Sequence, residues 1–221
     1  MVTLVCAVVA PRGTVAAGVE RARNCPQVAA VVVARRGAEM REACRAIAQA
    51  AAFLARQGVA LRAPIELHLV DALPPAVASP TRTGVYLHEE RRAYVLRRSR
   101  WPADAAPLGL PMTRALYRSA IVHEAVHAIA AEHFPDEGAD VVAHEYLAYV
   151  GQLESLAPAL RERALRAGPA SAGDEVRRLN LYVLGMRPDS FAALAWRHWS
   201  APGHGATVVH AVLEDGVLPG G

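Results

Sequence analysis

The chain has 221 residues, 53% of them hydrophobic and 20% charged, which excludes a disordered or fibrous protein and allows one domain with a substantial core. The net charge of +3 comes from arginines alone, with no lysine, a pattern expected of GC-rich coding. Those arginines are scattered among acids rather than gathered on a stripe, so nucleic acid is not the expected partner. No apolar run reaches the ~20 residues of a bilayer span, so no integral membrane segment is expected either.

The first stretch, "MVTLVCAVVAPRGTVAAG", has a short apolar core and a small-residue "VAA" ending at Ala17. It reads as a signal segment over 1–17 or, since a basic start is missing and Pro11 and Arg12 interrupt it, as a first strand. Cleavage would remove Cys6 and leave Cys25 and Cys44, an even pair that could form one disulfide. Cysteine parity therefore favours a periplasmic or secreted protein over a cytoplasmic one with three buried thiols.

"QVAAVVVARR" then predicts a β-branched strand near 27–35. "AEMREACRAIAQAAAFLARQG" (38–58) predicts a helix of strong helix formers closed by Gly58. "APIELHLVDAL" (63–73) alternates Ile65, Leu67 and Leu69 as a half-buried strand does. "TGVYLHEERRAYVLRR" (83–98) reads as a hairpin around a charged turn at Glu89–Arg92, near a sheet edge, and 93–97 is a candidate edge strand for adding an extended peptide. A proline-containing loop (102–111) leads to a long helix over 112–134, stopped by Pro135. Asp140 is the expected N-cap of a helix over 141–156. Helices are expected at 158–167, 173–184 and 191–199, and the tail "PGHGATVVHAVLEDG" carries no clear pattern. Strands with one helix come first and helices only thereafter. The expected class is α+β: a small N-terminal sheet with a covering helix, then the histidine helix, then a helical C-terminal half. One domain over 18–221 is expected, with the sheet and histidine helix in 18–134 and helices in 135–221.

The chemistry is concentrated in "IVHEAVHAIA" (121–130). At ~100° per residue, His127 lies about 40° and Glu124 about 100° from His123, so all three side chains leave one sector of the helix. That face otherwise carries Leu116, Ser119, Ala120 and Ala130, which is a face for burial. Two imidazoles one turn apart can grip one ion, and the carboxylate between them is free to hold a water. Two core histidines beside a solvated glutamate would be the plain alternative, but burying such groups without partners is costly.

"HEAVHAIAAEHF" on a helix, with strands before it and a second helix after it, resembles the zincin superfamily of zinc metallopeptidases. The resemblance covers roughly 60–155 and rests mainly on five motif positions. "AHEYLAYV" and its flanking helices are also similar to an uncharacterised bacterial group of small exported zincin-like proteins. The resemblance implies Zn2+ as cofactor, His123 and His127 as ligands, and Glu124 as the general base that activates the metal-bound water. A catalytic zinc needs a third protein ligand. His133 has the metzincin spacing, yet Ala130 stands where that pattern needs glycine, and a helix continuing to Phe134 turns His133 about 120° from His127. In the next helix, Val142, Tyr146, Tyr149, Leu153 and Leu156 form the apolar stripe. Glu145 lies at its edge, about 60° from the centre, and His144 lies opposite, facing solvent. A carboxylate from the second helix is how gluzincins complete their site, so the resemblance points to Glu145. Many gluzincins have an acid four residues later to orient a histidine; Tyr149 stands there, so that partner must be another residue. Tyr146, Tyr149, His204 and His210 are weaker candidates for stabilising an oxyanion, each with a structural role as the plainer reading. Trp196, His198 and Trp199 read as helix core and surface.

The expected function is a gluzincin-type peptidase acting on a peptide or protein substrate. The alternative is a zincin-fold protein that binds metal or a partner without turnover.

Overall fold

The computed structural model describes residues 19–79, 82–135, 138–167 and 175–218. The signal-segment reading of 1–17, with Cys6, falls outside these residues. The fold is α+β, with the sheet in the first half and helices throughout the second.

Five strands form one sheet: β1 (Arg21–Asn24), β2 (Ala30–Ala34), β3 (Ile65–Val70), β4 (Gly84–Leu87) and β5 (Arg92–Leu96). Their spatial order is β1-β2-β3-β5-β4. Helix α1 (Gly37–Arg56) joins β2 to β3, which pair in parallel, because a parallel neighbour requires a crossover. The strand at 27–35 is shorter than expected, and the exposed, polar β1 has no hydrophobic pattern by which to recognise it. Alternation decides which face is covered. Val32, Ile65, Leu67, Leu69, Ala93 and Val95 are buried against the helices, while Glu66, His68, Arg92 and Tyr94 form a polar network on the other face.

The 83–98 hairpin forms as expected, but its order in the sheet corrects the edge assignment. Strand β5 pairs in parallel with β3 and antiparallel with β4, so β5 is interior and β4 is the edge. The returning arm of the hairpin supplies the apolar alternation (Ala93, Val95) that continues the core from β3, and this places it inside.

Helix α2 (Arg114–Ala130) packs across the sheet beside α1. Thr113 caps it by accepting from the Leu116 N–H at 3.2 Å. It ends four residues earlier than the sequence suggested, in a turn over 131–133, with Pro135 following. Helix α3 (Val141–Glu154) starts at Asp140 as anticipated, with its carboxylate accepting from the Val142 and Ala143 N–H groups. Helices α2 and α3 come close at Gly151, where a Cβ would lie 2.7 Å from Val126 and 3.2 Å from Phe53 of α1.

The remaining helices are α4 (Pro158–Ala167), α5 (Glu175–Arg178), α6 (Leu181–Met186), α7 (Pro188–Ser200) and α8 (Ala206–Asp215). The single helix expected over 173–184 is broken, because Asn180 caps a new start by accepting from Val183 N–H. Helix α7 begins at Pro188, earlier than 191, since proline suits a first helical position. The tail without a clear pattern contains α8. A disulfide joins Cys25, just after β1, to Cys44 on α1. Among the described residues no helix is long and apolar enough to cross a membrane.

Candidate metal centre

Both histidines and the intervening glutamate of α2 are directed away from the sheet's middle strands, towards α3 and the edge strand β4. His123 Nε2 and His127 Nε2 lie 3.1 Å apart. Glu145, on the first turns of α3, places Oε2 3.3 Å from His123 Nε2 and Oε1 3.6 Å from His127 Nε2. A tetrahedral ion with bonds of about 2.0–2.1 Å sets its ligand atoms about 3.3 Å apart. The two imidazole nitrogens are close to that spacing, each lies near a different oxygen of Glu145, and two imidazoles with one carboxylate are a donor set zinc accepts. Among the described residues, His123, His127 and Glu145 are the group of donors close enough together to hold an ion.

The orientation of His123 follows from a chain of donors. Ser119 Oγ donates to Leu116 O at 2.9 Å, so its proton is committed and it accepts from Gln152 Nε2 at 3.4 Å. Gln152 must then present Oε1 to His123 Nδ1, 3.1 Å away, and that nitrogen carries a proton. The Nε2 of His123 is thus turned towards His127 and Glu145. Gln152 lies two helical turns after Glu145 on the same face of α3. It takes the orienting role for which the sequence offered no acid at Tyr149, and a glutamine in a buried helix face gave no signal by itself. The Tyr149 ring packs edge-on against His123, with centroids 4.7 Å apart.

Glu124 is not a member of the donor triangle. Its carboxylate lies against β4, where Gly84 makes room for it: a Cβ on Gly84 would fall 2.5 Å from Oε1 and 2.9 Å from Cγ and Cδ. Gly84 is a second residue that the sequence reading missed. Beside it, the backbone of β4 is open. Thr83 O accepts from Leu96 N–H at 2.8 Å, so Thr83, Val85 and Leu87 turn their polar groups to β5. Gly84 and Tyr86 accordingly present theirs to the free edge.

Burial and mutual charge set the protonation of the site. Burial pushes the Glu124 carboxyl up to about 7; His123 and Arg82 oppose this and Glu145 adds to it. Burial pushes His127 down to about 3, so it is a neutral imidazole. Burial also disfavours a charged His123, but the hydrogen bond and charge of Glu145 outweigh it and raise its pKa. Glu145 is held down at about 2, against burial, by His123 and then His127. Glu145 thus favours the protonated form of His123 at the nitrogen that faces the cluster.

The other candidates are placed as follows. His133 donates from Nε2 to Ala60 O, 2.7 Å away, and so points away from the centre. His144 does not face solvent as expected. Its ring packs at a tilt against Phe134 (centroids 4.3 Å apart) and lies 5.9 Å from that of His127, because α3 crosses α2 closely enough to bring this side of its first turn into the cleft. Tyr146 and His198 share a buried hydrogen bond of 2.8 Å, and His204 reaches His198 O, so both are structural. His210 lies against Gly58. Trp196 stacks under Arg161. Of the four weaker oxyanion candidates, Tyr149 alone lines the cleft.

That cleft, of about 1190 Å³, runs over the triangle between β4 and the rim formed by α3, α6 and the start of α7. No match to the chain is found among curated proteins or among solved structures. Residues 30–220 match a family model described as a family of unknown function, and the chain belongs to that family, DUF6639.

Proposed function

We propose that this protein is a zinc-dependent peptidase in which His123, His127 and Glu145 hold the metal and Glu124 is the general base. The observation that carries this reading is the close cluster of two imidazoles and one carboxylate, with a fourth buried polar group, Glu124, left outside it. A structural site has no use for that fourth group. A zinc ion held there supplies Lewis acidity towards a substrate carbonyl and towards the attacking water. Glu124 takes a proton from that water and returns it to the leaving amine, a task suited to a carboxyl raised to about 7. Gln152 keeps the Nε2 lone pair of His123 aimed at the centre. The outward N–H and C=O groups of Gly84 and Tyr86 bind an extended polypeptide as an added strand, which places a scissile bond over Glu124. The substrate is thus an extended peptide or an unfolded stretch of a protein. A disulfide joining β1 to α1 fits an oxidising compartment, and we assign the protein to the periplasm or exterior on that ground.

Metal analysis of the purified protein and a broad peptide library test this reading. One zinc per chain, a thermal shift on adding zinc, and cleavage abolished by Glu124→Gln are expected. No stoichiometric zinc overturns the metal centre. Zinc with no cleavage, or with equal cleavage by Glu124→Gln, leaves a metal-binding protein without turnover.

A further inference from the structure

Helix α6 is unlike the other helices of the fold. Its six residues, "LYVLGM", are apolar or glycine, yet none is buried. Leu181, Tyr182 and Met186 are 62%, 75% and 65% exposed, and they are three of the six large hydrophobic side chains exposed among the described residues. The inner face is anchored, since Val183 and Leu184 pack on the core. Among the described residues nothing covers the outer face, and a Cβ on Gly185 would meet nothing within 4 Å. An exposed arginine stands beyond each end, Arg177 in α5 and Arg187 directly after the helix. The result is an exposed apolar strip between two exposed cationic residues.

We propose that α6 docks the protein on an anionic lipid surface. Leucine, tyrosine and methionine side chains exposed on such a strip enter the boundary between headgroups and acyl chains, while arginines at its ends reach phosphate oxygens with their stems lying along the interface. The arginine pair selects anionic over neutral lipid. It also disfavours a second copy on this face, because a two-fold contact would set arginine against arginine. Three side chains fall well short of the ~800 Å² per partner of a stable interface. Leu184 and Gly185 of the same helix line the cleft, so docking brings the mouth of the cleft next to the lipid. On the peptidase reading, this selects polypeptide segments that lie close to a membrane; the docking itself does not depend on that reading.

Co-sedimentation of the full chain with phosphatidylcholine vesicles, with and without a quarter of phosphatidylglycerol, tests the proposal. Binding about 10-fold tighter to the anionic vesicles is expected, weakening in high salt. The triple exchange of Leu181, Tyr182 and Met186 to serine should reduce it at least about 10-fold with an unchanged melting temperature. Arg177→Gln with Arg187→Gln should remove the preference for anionic lipid. If the triple variant melts early, Leu181→Gln, at a 62% exposed position, repeats the comparison. Equal binding to both vesicles, or undiminished binding by the serine variant, overturns the proposal. A dimer that the serine variant abolishes overturns it in favour of a second copy. The peptide-library result is independent of all these outcomes.

Discussion

Gly84 and Glu124 compete for one volume: the position a Cβ would take on the edge strand is 2.5 Å from the Oε1 atom of the glutamate. The backbone of Gly84 needs no left-handed conformation, so the cost of a side chain there is borne by the carboxylate. Gly84→Ala should displace Glu124 and leave the donor triangle alone. Peptide cleavage is expected to fall about 100-fold, as for a misplacement of about 1 Å, while zinc affinity stays within about twofold. Turnover measured beside a chelator competition separates the two effects.

The raised carboxyl of Glu124 makes a prediction about stability. An acid whose folded pKa (about 7) exceeds its unfolded value (4.5) leaves the fold most stable below pH 4.5, and stability is lost as pH rises through 7. The loss approaches about 3 kcal/mol at pH 8. Glu124→Gln keeps the shape and removes the charge. In protein stripped of metal, it should raise the melting temperature at pH 8 and leave it unchanged at pH 4.5. Equal shifts at both pH values would refute a buried, reluctant carboxylate.

Zinc binding should release protons in a defined number. At pH 6, His123, with its raised pKa, and Glu124, at about 7, both hold a proton, whereas His127 and Glu145 do not. Metal on Nε2 expels the first, and its charge expels the second. Calorimetry in buffers of different ionisation enthalpy should find about two protons released per zinc, and about one in Glu124→Gln.

Gln152→Leu removes the acceptor from His123 Nδ1 while keeping the volume. Zinc affinity should fall about 10- to 100-fold, with Glu restoring it at the same position. A chelator titration that found no loss would show that Tyr149 packing alone orients the ring.

How far the molecule could be read from its sequence depends on whether the signal was local. The helix that carries the histidines, the N-cap at Asp140, and the alternation of Ile65, Leu67 and Leu69 are each fixed by neighbours within a few residues, and those readings agree with the structure. Glu145 could be put at the edge of the buried face because its angle from an apolar stripe is a local quantity, whereas its choice as the third donor came from the resemblance to gluzincins. His144 was misplaced because the stripe defines what α3 packs on but not how closely its other side approaches Phe134 and His127. The exchange of edge between β4 and β5 is a matter of pairing across 26 residues of chain, as from Glu66 to Arg92, and no local pattern encodes it. Gln152 and Gly84 were silent for the same reason: each matters through one partner on another element.

Gly151 gives the centre a remote adjustment. Two donors stand on α2 and one on α3, and the distance between those helices is held by a contact with no slack, since a Cβ at 151 would press to 2.7 Å on Val126. Spacing at this point sets the size of the donor triangle. A bulkier residue there would widen the aperture for the ion, favouring larger cations over zinc without altering any atom that touches the metal.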